Sequence, residues 1–228
     1  MVVHASPSRS RFLIDAQMSE PRVYVVDDDA ALRDALTFLL SSRQVSTSTF
    51  SSGEAFLEFF NPKLRGCVLT DIRMGGISGL ELFSRLQDAG SRLPCIVLTG
   101  HGDVPMAVEA LKKGVRDFIE KPFDANDLVD KLIVAMADDL ARAEQDAMRR
   151  SHTERMATLS EREREVMDLL VVGKPNKVIA DELSIAIRTV EAHRARIFDK
   201  LGVRSAVELV KLLAQTDMMS GLTPRPHG

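Results

Sequence analysis

Residues 23–33 read VYVVDDDAALR: four consecutive apolar residues run straight into three aspartates and then into a helix-forming stretch. A strand that is apolar at every position is buried on both faces, as in a parallel sheet covered by helices. The pattern recurs downstream. Apolar runs at 67–69, 95–98 and 118–119, with a weaker one at 45–50, are each followed by polar or glycine-rich residues and a helical pattern. Helices are legible at 30–41, 52–60, 79–89, 104–113 and from 126 onward. Asp103 ahead of Val104-Pro105 gives the fourth a cap and a first-turn proline. Five strand–helix repeats predict a doubly wound (βα)5, flavodoxin-like α/β domain.

The residues that end these strands are unusual. The first runs into Asp27-Asp28-Asp29, the next strong run into Asp71, the third into Thr99 and the last into Lys121. In an open α/β sheet the ligand site lies beyond the carboxyl ends of the strands, so these side chains are expected to converge. Crowded carboxylates repel one another unless a cation intervenes, and carboxylates with water and a phosphate suit Mg²⁺. Lys121 and Thr99 add a charge and a hydroxyl that match phosphoryl oxygens. An aspartate flanked by a divalent cation and a lysine is equipped to accept a phosphoryl group in line. Taken singly, Asp28 and Asp29 also read as helix caps and Lys121 as a surface charge.

The segments VYVVDDDAALR, CVLTDIRMGGISGLEL, CIVLTGHGDVPMAVEALKKG and DFIEKPF together resemble the receiver domain of two-component response regulators. That resemblance implies Asp71 as the phosphoacceptor, and Asp27, Asp28, Asp71 and the backbone carbonyl of Arg73 as ligands of Mg²⁺. It implies Thr99 and Lys121 as phosphate ligands, Phe118 as the aromatic switch, and a cis Lys121–Pro122 bond. Many members of that family carry Glu where this chain has Asp29. One departure stands out: the family commonly has proline four residues after the phosphoacceptor, where this chain has Gly75. Glycine frees a loop that proline would stiffen. Cys67 and Cys95 each precede a site residue by four positions, which makes them candidate neighbours facing the same way; as buried thiols they read as small hydrophobes.

The chain has 228 residues, 45% hydrophobic and 28% charged, a balance that fits two globular domains. Two cysteines exclude a disulfide scaffold and fit a reducing compartment, and no apolar run is long enough to span a bilayer. The expected location is the cytoplasm. The charge divides unevenly: residues 21–140 hold 13 basic and 18 acidic side chains, whereas residues 141–228 hold 15 and 13. Within 174–204 there are 7 basic against 4 acidic, so the second half is expected to meet an anion. Residues 140–158 are polar and lack proline and glycine, which reads as a helical linker with a boundary near Glu154. Residues 1–20 read as a disordered tail, with Met18 as an alternative start, and 218–228 as a flexible end.

From Leu159 the pattern is helical throughout. Ser160-Glu161-Arg162-Glu163 is a capping box that opens a helix with Val166, Leu169 and Leu170 inward, closed at Gly173. Asn176 starts a short helix with Val178, Ile179 and Leu183 inward. After a turn at Ser184-Ile185-Ala186 comes a third helix with Val190, Ile197 and Leu201 inward, stopped by Gly202, and residues 206–213 form a fourth. Two short helices joined tightly, the second bearing Arg188, His193, Arg194 and Arg196, fit a helix-turn-helix. The segment LSEREREVMDLLVVGKPNKVIADELSIAIRTVEAHRARIFDKLGVRS resembles the LuxR-type output domain, and its place after a receiver matches the FixJ/NarL subfamily. The resemblance implies Glu191, Ala192 and Ala195 at base edges, and Lys177, Arg188, Thr189, Arg194 and Arg196 near phosphates. His193 is either a packing residue or a contact.

The expected organisation is therefore a tail at 1–20, a receiver at 21–139, a linker at 140–154, an output domain at 155–217 and a tail at 218–228. The expected function is that of a DNA-binding regulator whose Asp71 takes phosphate from a sensor histidine kinase. Dimerisation, promoter binding as an inverted repeat and contact with RNA polymerase then follow. It is not an enzyme beyond assisting its own phosphorylation and dephosphorylation. Two alternatives stand beside this reading: a haloacid-dehalogenase-type phosphatase with Asp27 as nucleophile, and a regulator that binds DNA independently of phosphate.

Overall fold

The computed structural model describes residues 20–100 and 104–215. Asp103, Met18 and the C-terminal tail lie outside the described residues, as does all of the N-terminal tail but its last residue. The chain forms two compact units that divide between Ala143 and Glu144.

In the first unit, strands β1 (Arg22–Val26), β2 (Thr47–Phe50), β3 (Gly66–Asp71), β4 (Cys95–Thr99) and β5 (Asp117–Glu120) form one parallel sheet in the order β2-β1-β3-β4-β5. The strand order reverses between β1 and β3, which puts the crevice for a ligand above those two strands. Helices α1 (Ala30–Ser42), α2 (Gly53–Phe59), α3 (Gly79–Asp88), α4 (Val104–Lys112) and α5 (Ala125–Ala157) alternate with the strands.

Successive strand residues point to opposite faces, so the sheet carries two cores. Val23, Val25, Cys67, Leu69, Ile96 and Leu98 pack with Leu36 and Leu40 of α1 and Leu128 and Leu132 of α5. Tyr24, Val26, Val68, Cys95 and Val97 pack with Phe56 of α2 and Leu82 and Leu86 of α3. Both faces are covered, which is why the central runs 23–26, 67–69 and 95–98 are apolar at every position, whereas the edge strands β2 and β5 carry polar residues. Truncating a wholly buried leucine such as Leu132 is expected to cost about 2–5 kcal/mol.

The two cysteines do not face the same way. The register pairs Cys95 with Val68, one residue past Cys67, so the thiols lie on opposite faces of the sheet. On the C-terminal part of the covering surface, Asp139 of α5 is fully buried and its Oδ2 accepts the backbone N–H of Gly66 at 3.0 Å. Burial pushes the Asp139 carboxyl above its ordinary range, against the pull of that N–H and of the Arg65 and Arg142 charges.

The second unit is all helical: α6 (Glu161–Val171), α7 (Asn176–Glu182), α8 (Ile187–Leu201) and α9 (Ala206–Gln215). Its single core gathers Val166, Met167 and Leu170 from α6, Ile179 from α7, Val190, Ile197 and Leu201 from α8, and Leu209 and Leu213 from α9. Gly202 ends α8 in the left-handed region, φ 68°, where a side chain would be strained. Val178, expected inward, is 39% exposed. Ile179 and Ala180 take the inward arc of so short a helix, and Val178 is rotated off it.

Candidate functional site

Register brings the strand ends together. Val26 pairs with Thr70, which sets Asp27 beside Asp71; Asp71 pairs with Leu98, and Thr99 with Glu120, which sets Thr99 and Lys121 one step further on. Asp71 is flanked by a close approach of backbone. The N–H of Gly79 donates to the Ile72 carbonyl at 3.2 Å, and a Cβ on Gly79 would lie 2.2 Å from the Asp71 carbonyl oxygen, so only glycine fits there.

Lys121 is the centre of the cluster. Its Nζ lies 2.9 Å from Asp71 Oδ1 and 3.4 Å from Asp27 Oδ2. Asp27 is 1% exposed; its Oδ1 accepts the Asp29 N–H at 2.8 Å, and its carbonyl accepts Arg33 Nη1 at 2.7 Å. Burial raises the Asp27 carboxyl above its ordinary pKa, opposed by the Asp29 amide and by Lys121. Burial opposes the charge on Lys121 as well, but the hydrogen bond to Asp71 and the two carboxylate charges outweigh it and hold the ammonium above its ordinary value. Both partners of one ion pair therefore shift upward, because desolvation governs the more deeply buried Asp27.

The other acids are engaged differently. Asp29 is the N-cap of α1 and accepts from Ala31 and Leu32 at 2.9 and 3.3 Å, which assigns it to capping. Asp28 is exposed, and its Oδ2 accepts the Gly75 N–H at 2.9 Å. The expected crowd of three carboxylates is thus a pair about Lys121, with Asp28 drawn aside to the following loop. Among the described residues no three acids are grouped to hold a metal. The donor set still fits a hard divalent cation: the oxygens of Asp27, Asp28 and Asp71, with the exposed loop residue Arg73 two positions after Asp71. Thr99 supports that fit, since its hydroxyl is buried without a hydrogen-bond partner among the described residues. Phe118 is half-buried on β5 opposite Val97, and the Lys121–Pro122 bond is cis as expected.

Sequence reasoning missed Arg33, which braces Asp27, and Glu54, whose Oε1 accepts the Ile77 N–H at 2.9 Å and fixes the loop after Asp71. A basic residue in the first turn after an acidic strand end is a weak signal for the first. Nothing in the spacing signals the second.

In the second unit the exposed side of α8 presents Arg188, Thr189, Glu191, Ala192, Ala195 and Arg196, opposite the buried Val190, Ile197 and Leu201. Lys177 is exposed on α7. Arg194 is half-buried: its Nη1 donates to Asn176 Oδ1, and its guanidinium lies 5.7 Å from the Phe198 ring centroid. It joins α7 to α8. His193 is half-buried and its Nδ1 has no partner among the described residues. Ile187 and Val178 are exposed apolar residues on the same pair of helices that the sequence did not single out as contacts. At the start of α6, Ser160 accepts from the Glu163 amide at 3.2 Å while Glu163 Oε2 accepts from the Ser160 amide at 2.8 Å. Lys200 Nζ lies 2.6 Å from the same Glu163 oxygen, and these bonds lower the Glu163 carboxyl to about 2.

Residues 23–133 match the response regulator receiver domain family, and residues 157–213 match the luxR family of bacterial regulatory proteins. The chain is 43% identical over 202 residues to the transcriptional regulatory protein FixJ of Azorhizobium caulinodans, covering 89% of this chain and 94% of that one. It is 44% identical over 192 residues to the C4-dicarboxylate transport transcriptional regulatory protein DctR of Rhodobacter capsulatus, covering 83% and 98%. Among solved structures, the response regulator StyR matches with a TM-score of 0.82 at 38% identity, over 86% of this chain and all of that one. Among the described residues no helix is long and apolar enough to cross a membrane. A phosphatase reading with Asp27 as nucleophile leaves the helix-turn-helix without a role. The chain belongs to the two-component response regulators of the FixJ/NarL type, transcriptional regulators with a receiver domain followed by a LuxR-type DNA-binding domain.

Proposed function

We propose that Asp71 accepts a phosphoryl group from a sensor histidine kinase and that this switches the output domain toward promoter DNA. The observation that carries the reading is the placement of Lys121 Nζ between Asp71 and Asp27 beside the Thr99 hydroxyl, which is buried without a partner among the described residues. An Asp71 carboxylate oxygen forms a bond to phosphorus as the phosphorus–nitrogen bond of the donor's phosphohistidine breaks, the imidazole leaving with the electron pair. Lys121 and Thr99 are the protein's donors for the new phosphoryl oxygens. Mg²⁺, held by Asp27, Asp28, Asp71 and the Arg73 carbonyl, would supply charge neutralisation between the acids and the incoming phosphoryl group. The same pocket supports assisted self-phosphorylation and self-dephosphorylation.

Thr99 and Phe118 then reposition, and the surface of α4, β5 and α5 becomes the dimer interface. The receiver is the two-state element, biased by phosphate toward one conformer. On DNA, α8 enters the major groove with Glu191, Ala192 and Ala195 at base edges, while Lys177, Arg188, Thr189, Arg194 and Arg196 set register on phosphates. Arg194 reaches phosphate only from its brace on Asn176. Pairing through α9 implies an inverted repeat, and RNA polymerase is the expected downstream partner. Domain boundaries at 21–139, 140–154 and 155–217, in the cytoplasm, accompany this reading.

Gel-shift binding to a genomic fragment library, with and without acetyl phosphate and Mg²⁺, tests it. Enhancement that vanishes in Asp71→Asn is the expected result. Equal binding in both conditions would retain the DNA-binding half and refute the phosphorylation half.

A further inference from the structure

We propose that the backbone amide of Gly75 is a latch on Asp28 that competes with Mg²⁺ for its carboxylate in the resting receiver; this rests on the Mg²⁺ reading above. The Gly75 N–H donates to Asp28 Oδ2 at 2.9 Å and ties the loop after β1 to the loop after β3. The other two acids are anchored within the pocket, Asp27 by the Asp29 amide and both Asp27 and Asp71 by Lys121. Asp28 is instead held against the loop that carries Arg73, and among the described residues no three acids are grouped for a metal.

That loop holds the amide in place. On its far side the Ile77 N–H is fixed by Glu54 at 2.9 Å and the Gly79 N–H by the Ile72 carbonyl at 3.2 Å. An N–H and a dication compete for the same carboxylate electron density, and the partial positive charge on the amide hydrogen opposes an ion drawn to that oxygen. A cation that takes Oδ2 displaces the hydrogen bond, and doing so frees the segment bearing the Arg73 carbonyl. Any residue with an N–H could serve at this position, whereas proline could not. A Cβ at position 75 would meet Asp28 Oδ2 at 3.8 Å, an ordinary contact, so alanine keeps the latch.

The test is calorimetric titration of Mg²⁺ into the full-length protein without phosphodonor, for the parent chain, Gly75→Ala and Gly75→Pro. The expected result is unchanged affinity in Gly75→Ala and about three- to tenfold tighter binding in Gly75→Pro, the scale of losing one competing hydrogen bond. Equal or weaker binding in a folded Gly75→Pro overturns the latch. Should that variant fail to fold, hydrogen exchange of the Gly75 amide in the parent chain decides. Protection that falls when Mg²⁺ is added supports the latch, and protection that does not change overturns it. Mg²⁺ binding that ignores Gly75 refutes the latch alone; no Mg²⁺ binding by any of the three proteins refutes the metal reading along with it.

Discussion

The Nζ of Lys121 lies 2.9 Å from Asp71 Oδ1, so the pocket holds its own cation seated on that carboxylate. The arrangement keeps Asp71 paired and, on the proposed function, places a donor for the phosphoryl oxygens. Lys121→Met removes it. We expect slower labelling by acetyl phosphate, by about 10-fold or more, and a further rise in the Asp27 carboxyl pKa, because Lys121 is one of the groups that lower it. A carboxyl-carbon NMR titration reads the second effect. An Asp27 titration unmoved by the substitution would contradict the electrostatic role.

Two exposed residues on α8 test the proposed division between register and readout. Arg188→Ala is expected to weaken binding to all sequences alike and to reduce the salt slope by about one. Glu191→Ala is expected to change which base is preferred, by about 1–3 kcal/mol at one position. Competition binding across a salt series distinguishes them, and two variants that lose affinity with unaltered preference would dismiss the groove assignment.

Arg194 differs from its neighbours because its guanidinium is spent on Asn176 and Phe198. Arg194→Lys keeps the charge but not the planar fork. It should lower stability by about 1 kcal/mol in chemical denaturation, and lower DNA affinity by more than Arg196→Lys does. Identical behaviour of the two lysine variants would show that the brace contributes nothing.

Glu163 closes the capping box and pairs with Lys200. Its carboxyl is lowered to about 2 by the Lys200 and Ser160 bonds, so its stabilisation is complete above its ordinary value of 4.5 and drains away as pH falls from there toward about 2. Glu163→Gln retains the cap and loses the charge. Glu163→Ala loses both and should be less stable by about 1 kcal/mol more at neutral pH. The gap between the parent chain and Glu163→Gln should shrink as the solution is acidified, as followed by urea denaturation. A constant gap would mean the ion pair is not its source.

The strand ends were legible because apolar runs doubly buried in a parallel sheet have sharp limits. Asp27, Thr99 and Lys121 were readable for the same reason, each standing where an apolar run stops. The helical spacing of Val190, Ile197 and Leu201 likewise announced the exposed face of α8. Other features depend on register or on loop backbone, which leave no trace in composition. Equal four-residue spacings from Cys67 to Asp71 and from Cys95 to Thr99 hid the one-residue offset between β3 and β4. The hold of Gly75 on Asp28 is made by an amide that every residue except proline carries. The polar stretch after Leu140, free of proline and glycine, does read as helical, and α5 continues through it to Ala157.

The opposite placement of Cys67 and Cys95 has a bearing on how this protein meets oxidants. Burial pushes the Cys95 thiol up to about 12 and the Cys67 thiol well above its ordinary value, so neither offers a thiolate in the folded state. Each sulfur is buried in its own face of the sheet, which leaves peroxide, glutathione and alkylating reagents no foothold while the receiver is intact. The pair is thus a silent marker of foldedness: labelling of either sulfur would report that the sheet had opened.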